Sequence, residues 1–429
     1  MLHTHQQRSR GWLDQDSHWL IGLCVVRVAS ALPFNTYAAT QPLLMAEWQM
    51  SAGQAGWMHA GFYIGYLTSL CGVGLMTNRY GAKRTVLLSG MAASYSAFLF
   101  ALFAEDFLSG LLLYGASALC FGGSYTPVLT VISERIHGKQ RGRAIGWYIA
   151  AGLLGYALSL SLSGAMMAYS GWRSAFYVTA CGPFVGTLIA FRALRHTLNL
   201  IPERPPTQTI VPLWRTVLRN KPMMLVMLGY SFHSWELLGM RSWLPTFLTV
   251  CIALGGRDEA AAASIGAVVS ALLCVASMAG TIAGGAWSDR WGCTAVIIGF
   301  SAVSLLCSLS IGWLIAAPFW IVVGMGLLYS ITTVADSPVY STALSELAPH
   351  HVLGTAYTLR SVMGFGAGVI SPVVFGLVLE GVRNDPGLPE AWIWGLAFAS
   401  LGVGGLCGPL GMPWLRHLPQ SANMAGGLR

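Results

Sequence analysis

Twelve long apolar runs, separated by short polar breaks, constrain this chain more than any single motif. They fall at roughly 18–45, 54–76, 84–104, 109–133, 143–168, 173–193, 222–250, 260–287, 294–314, 317–344, 354–379 and 391–414. A helix that crosses a bilayer needs about 20 predominantly apolar residues, and each run is long enough. The chain has 429 residues, 55% of them hydrophobic and 9% charged. Soluble domains carry about 25% charged residues. So few charges cannot cover the surface of a water-soluble chain of this length. The predicted class is an all-α membrane protein with twelve transmembrane helices. Its net charge of +8 is then a topology signal, and no nucleic-acid partner is expected.

The only long polar segment runs from Arg192 to Lys221 and contains Pro202, Pro205, Pro206 and Pro212. It reads as a linker between two halves. The chain therefore divides into a tail (1–17), a six-helix bundle (18–193), a linker (194–221), a second six-helix bundle (222–414) and a second tail (415–429). The first tail is polar and has no small-residue cleavage site after an apolar core, so no removable signal peptide is expected. With the N-terminus in the cytoplasm, Arg173, Arg257 and Arg383 lie outside and Arg27, Arg241 and Arg360 lie within spans. Every other Lys and Arg is then cytoplasmic. That bias puts both termini inside a plasma (bacterial inner) membrane.

The halves are parallel copies. Gly285-Ala286-Trp287-Ser288-Asp289-Arg290-Trp291-Gly292 repeats, half a chain later, the pattern Gly74-Leu75-Met76-Thr77-Asn78-Arg79-Tyr80-Gly81. Pro127, Glu134 and Gly142 have counterparts Pro338, Glu346 and Gly354 at nearly the same offset. A glycine suits a tight turn between two helices, where the backbone must turn left-handed or approach a neighbour. Parallel six-helix repeats with a long linker are one known transporter architecture.

These residues resemble the major facilitator superfamily of secondary transporters. Its signature between the second and third helices is Gly-x-x-x-Asp-Arg-x-Gly-Arg-Lys/Arg. Gly74, Arg79, Gly81 and Lys83 or Arg84 match it, with Asn78 at the acidic position. The second copy keeps Gly285, Asp289, Arg290 and Gly292 without the basic pair. Arg141-Gly142-Arg143 and Gly171-Trp172-Arg173 are also similar to family sequences. The resemblance implies alternating access, with solute bound near the midplane between spans one, four, seven and ten. It also implies a cytoplasmic latch, drawn from Asn78, Arg79, Glu134, Arg143, Asp289, Arg290 and Glu346, that breaks as the halves rock. Asn78 carries no charge, so the first-half latch is expected to be the weaker. Plain positive-inside anchoring is the alternative, and it suits Lys83 and Arg84 better.

Ionisable groups inside spans are costly and usually face a polar cavity. His233 and Glu236 are three apart in the seventh span and share a helix face. At ~1.5 Å per residue they sit about 17–21 Å into the span, near the midplane. A carboxylate there is expensive to keep charged, and a neighbouring imidazole can exchange a proton with it. The alternative is a structural pair, for example Glu236 with Arg27 or Arg241. In the tenth span Tyr329, Thr333, Asp336 and Tyr340 form one polar stripe, which reads as cavity lining. Asp336 is also placed to pair with Arg360 or Arg27. Arg27 and Asn35 flank Pro33 in the first span, and Arg27 is the candidate to bind an anion. The substrate and proton pathway is thus Arg27, Asn35, His233, Glu236, Arg241, Tyr329, Asp336 and Tyr340. His59 reads as a satisfied interfacial histidine.

Nine cysteines are present, nearly all in apolar runs and none as Cys-x-x-Cys, so they read as packing residues. No cofactor or metal site is expected, and His350-His351 reads as a solvated pair. No phosphate loop or His-Glu-x-x-His occurs, which leaves a membrane enzyme without support. The expected function is a proton-coupled, monomeric carrier of a small polar or anionic solute. Two alternatives stay open. One is drug or metabolite efflux on the same fold, although the fifth span lacks the family's Gly-Pro-x-x-Gly-Gly antiporter signature. The other is a sensor or scaffold that has lost transport.

Overall fold

A computed structural model describes residues 4–136, 139–199, 201, 213–349, 352–385, 387–422 and 424–427. Most of the linker and the His350-His351 pair lie outside the described residues. The first span is broken: α1 (Thr4–Ala31) ends in a 3-10 turn over Leu32–Asn35, and α2 (Thr36–Glu47) completes the crossing. Pro33 sits in that turn, where its missing N–H and fixed φ interrupt the helix. The stretch read as the first tail is helical from Thr4. A polar sequence can continue a helix beyond its apolar run.

Spans two and three are α3 (Ala52–Tyr80) and α4 (Ala82–Phe103). The fourth is α5 (Phe107–Phe121) and α6 (Thr126–Arg135), broken around Gly122–Ser124. The continuous α7 (Lys139–Ala193) holds spans five and six, separated by non-helical Ser170 (φ −146, ψ 20) and Gly171 (φ 74, ψ −177). After a short α8 (Leu213–Arg219) come α9 (Lys221–Leu254), α10 (Glu259–Trp291) and α11 (Cys293–Ile311). The tenth span is α12 (Phe319–Ala335) and α13 (Ser337–Leu347), broken at Asp336. Spans eleven and twelve are α14 (Leu353–Arg383) and α15 (Glu390–His417). Among the described residues eleven segments are long and apolar enough to cross a membrane, and the kink in α7 divides one of them into two crossings.

The repeat survives in the backbone. Gly81 ends α3 and starts α4 at φ 84, ψ 156, and Gly292 ends α10 and starts α11 at φ 85, ψ 155. Both φ values are left-handed, which disfavours any side chain. The breaks before α6 and α13 also correspond, because Pro127 and Pro338 each enter the first helical turn. A proline in the first helical turn loses no hydrogen bond, so Pro127 and Pro338 suit the points where α6 and α13 restart.

Each half buries its own aromatic core. In the second half Trp243 stacks on Phe375 at 4.9 Å, and Phe398 packs edge-on to Phe375 at 5.1 Å. Such ring pairs contribute about 0.5–1.5 kcal/mol each beyond their area. The halves meet tightly only towards the face opposite the two repeated turns. A Cβ on Gly56 would lie 2.5 Å from the Pro372 carbonyl oxygen, so only glycine lets α3 and α14 approach this closely. Side-chain hydrogen bonds between the halves lie towards the same face. Glu380 Oε2 accepts from Gly53 N at 2.9 Å, and Ser264 Oγ donates to the Gly164 carbonyl at 2.7 Å. Towards the Arg-rich face Asn78, Arg79, Arg143, Asp289 and Arg290 are exposed, and no side-chain hydrogen bond joins the halves there among the described residues. The bundle is closed at one face and open at the other.

Candidate functional site

Short of the closed face, a cavity of about 170 Å³ lies between the halves. The broken first span brings Phe34 and Asn35 to it, α3 brings Phe62, Tyr63 and Tyr66, and α7 brings Tyr156. From the second half α9 presents Tyr230, Ser234 and Arg241, and α14 presents Phe365. Asn35 is held by Nδ2 donating to the Tyr156 carbonyl at 3.3 Å and by its own N–H donating to Ser159 Oγ at 3.2 Å.

Arg27 lies one layer behind the wall and is 4% exposed. Its guanidinium donates to Ser124 Oγ and Tyr156 Oη, each at 3.4 Å, and stands 5.0 Å from the Tyr125 ring centre. Its Nε has no partner. A Cβ on Gly152 would come within 2.8 Å of that Nε, so the glycine makes room for the guanidinium. Arg360 sits 4.3 Å over the Tyr230 ring and donates to Ser341 Oγ. Among the described residues no carboxylate pairs with Arg27, Arg241 or Arg360.

The acids occupy a different place. Glu236 is 2% exposed and points into the second half, where its Oε2 accepts from Ser304 Oγ at 2.9 Å. Its Oε1 and the buried Tyr329 hydroxyl lack a hydrogen bond of normal geometry, although the two side chains are close enough to interact. Asp336 stands at the break between α12 and α13. Its Oδ1 lies 2.8 Å from His233 Nδ1, and its Oδ2 accepts from Ser301 Oγ at 3.1 Å. The His–Asp contact meets ion-pair distance but not hydrogen-bond angles, since Oδ1 lacks an aligned donor. The two side chains are a close, buried pair. The His233 ring lies 5.5 Å from Tyr230 and 5.8 Å from Tyr340.

The residues read from sequence therefore divide into two groups. Asn35 and Arg241 line the inter-half cavity, with Arg27 just behind it. His233, Glu236, Tyr329, Asp336 and Tyr340 come together inside the second half. The pairs Glu236 with Arg27 or Arg241, and Asp336 with Arg27 or Arg360, are not formed. Helix azimuth is the reason. Ser234, Leu238 and Arg241 face the cavity, and at about 100° per residue Glu236 points nearly the opposite way from Ser234. The stripe of the tenth span faces the second-half interior for the same kind of reason, and Thr333 Oγ1 donates back to the Tyr329 carbonyl at 2.7 Å. His59 is bonded to Gln41 Oε1 at 2.7 Å. Ser301 and Ser304 were not singled out in the sequence, although two serines three apart in an apolar run share a face. Tyr156 and Tyr230 were also missed, and their signal was a phenol inside an apolar run.

At the open face Asn78, Arg79, Arg143, Asp289, Arg290 and Glu346 are exposed and Glu134 is half-buried. Asp289 and Arg290 form no ion pair among the described residues. The first turn is fastened in another way. Lys83 Nζ donates to the carbonyls of Arg195 at 3.2 Å and Thr197 at 3.0 Å. Asn199 Nδ2 donates to the Tyr80 carbonyl at 2.7 Å, and Asn199 Oδ1 accepts from Arg84 N at 3.2 Å. Lys83 therefore ties the turn to the end of the sixth span, beyond the anchoring expected of it.

Two repeat-related bundles of membrane-crossing helices, closed at one face around a polar-lined cavity, define a carrier class. The family model of the Major Facilitator Superfamily matches residues 23–372, and the chain belongs to that family. It is 26% identical over 311 residues to the citrate-proton symporter of Salmonella typhi, covering 68% of each chain. It is 24% identical over 389 residues to a probable sulfoacetate transporter of Cupriavidus necator, covering 85% of this chain and 87% of that one. Its fold matches the solved structure of a bacterial homolog of the human lysosomal transporter Spinster in an inward-facing, unoccupied conformation. That match has a TM-score of 0.74 at 15% identity and covers 94% and 96% of the two chains. The protein is thus a multi-pass membrane transporter of small solutes, related to carriers rather than enzymes.

Proposed function

We propose that this chain is a proton-coupled carrier of a small anionic solute, working by alternating access. One observation carries the reading: among the described residues Arg27, Arg241 and Arg360 gather around the inter-half cavity without a carboxylate partner, while Glu236 and Asp336 are held apart from them. An unpaired buried cation is costly. An anionic solute would supply the missing charge. The citrate and sulfoacetate named for two relatives are anions as well. The acids and His233 are then free of a cation and suited to carrying a proton.

With the Arg-rich face cytoplasmic, both termini lie inside and the observed state opens inward. The placement is a cell's inner membrane, and the working unit is a monomer. Asp289 and Arg290 form no ion pair among the described residues, and the latch engages when the open face closes. Uptake into proteoliposomes under an imposed pH gradient tests the function. A carrier accumulates an anion with the gradient and Glu236→Gln loses that drive. If no anion in a broad panel moves, or Glu236→Gln leaves every flux unchanged, the proposal fails.

A further inference from the structure

We infer that the solute is a planar aromatic monocarboxylate, a single ring bearing one acid group. This rests on the anionic reading above and narrows it. Aromatic side chains from both halves surround the cavity: Phe34, Phe62, Tyr66 and Tyr156 on one side, Tyr230 and Phe365 on the other. Flat rings offer stacked and edge-on partners to another flat ring, and a saturated ring meets them less well. The cavity holds about 170 Å³. An apolar cavity of about 150 Å³ admits benzene, so there is room for one ring and a small polar group.

The polar groups match one carboxylate. Arg241 is the only arginine on the wall itself, and the described lining contains no Asp or Glu. Tyr156 Oη accepts from Arg27 at 3.4 Å. Its own phenol hydrogen is therefore directed away from Arg27 and available to a carboxylate oxygen. Arg360 lies behind the Tyr230 ring at 4.3 Å, polarising the wall without entering it.

The test compares benzoate with cyclohexanecarboxylate, two monoanions of like size that differ in having a flat π face. The full chain in detergent is titrated with each acid, and with acetate, citrate and neutral benzyl alcohol, following the thermal unfolding temperature. Benzoate is expected to bind about tenfold more tightly than the saturated acid. Phe365→Leu is expected to narrow that gap. Equal binding of the two acids, or tighter binding of the saturated one, overturns the aromatic assignment and leaves the anion reading standing. Benzyl alcohol binding as well as benzoate overturns the carboxylate. If no anion shifts the unfolding temperature, the anionic reading fails and this inference fails with it.

Discussion

His233 Nδ1 lies 2.8 Å from Asp336 Oδ1, with both side chains almost fully buried. The contact links the seventh span to the break in the tenth, so a proton taken up or released there changes the charge where the helix is already interrupted. If the two act as one unit, His233→Ala and Asp336→Asn each lower gradient-driven uptake at least about tenfold, and the double variant loses no more than either alone. Additive losses in initial uptake rates would separate the two residues.

Arg27 reaches Tyr156 with one arm and Ser124 with the other. A lysine is a point charge and cannot span both. Arg27→Lys is expected to weaken solute binding about tenfold, and Arg27→Gln more than that, while both variants remain folded. Binding isotherms on protein with an unaltered elution profile check this.

Gly152 leaves the space that the Arg27 guanidinium fills. Gly152→Ala forces that group to move and should lower affinity about fivefold to tenfold, and Gly142→Ala, with open space around its Cβ, should stay within about twofold. Parallel affinity measurements on the two variants decide it.

The duplicated turn separates scaffold from cargo. Asp289 and Arg290 are exposed and unpaired at the open face, while Lys83 and Asn199 clasp the first turn. Asp289→Asn is expected to slow transport several-fold and Asn78→Ala by less than about twofold, with solute affinity little changed by either. Exchange rates and equilibrium affinities, measured on the same preparations, distinguish slowed switching from lost binding.

Outside the membrane, the Ser109 hydroxyl and then its amide hold the Asp106 carboxyl below the usual carboxylate range. The depressed value sets the sign. This cap at the start of α5 contributes fully above the unfolded value of about 3.9 and fades as pH falls through the lower folded value. Asp106→Ala should therefore lower the unfolding temperature by the same amount at pH 6 and pH 8. The difference from the parent should shrink only below about pH 4, as thermal melts across that range will read.

Much of the fold was legible because hydrophobic length and repeat offsets are one-dimensional signals. Gly81 and Gly292, read as duplicated turns, share φ and ψ to within a degree. Pro33 lies in the break of the first span, while Pro127 and Pro338 were legible only as repeat partners, and the structure adds that each follows a break. The site was half legible. Spacing put His233 and Glu236 on a common face, and both do enter the second-half interior. Spacing could not say which neighbour that face meets. Depth along a span also says nothing of azimuth, so a pairing of Glu236 with Arg27 or Arg241 stayed open as the alternative, although Arg27 and Glu236 point into different halves. Tyr156 and Tyr230 carry no charge, and a phenol inside an apolar run is a weaker signal than an ionised group.

The most direct test of the central claim follows proton movement in proteoliposomes when a transported anion is added. The interior is loaded with a pH-sensitive dye and no gradient is imposed. The parent protein is expected to move protons together with the anion. Glu236→Gln and Asp336→Asn should bind the anion with affinity within about threefold and move no protons with it. Wild-type proton movement in both neutral variants would contradict the account.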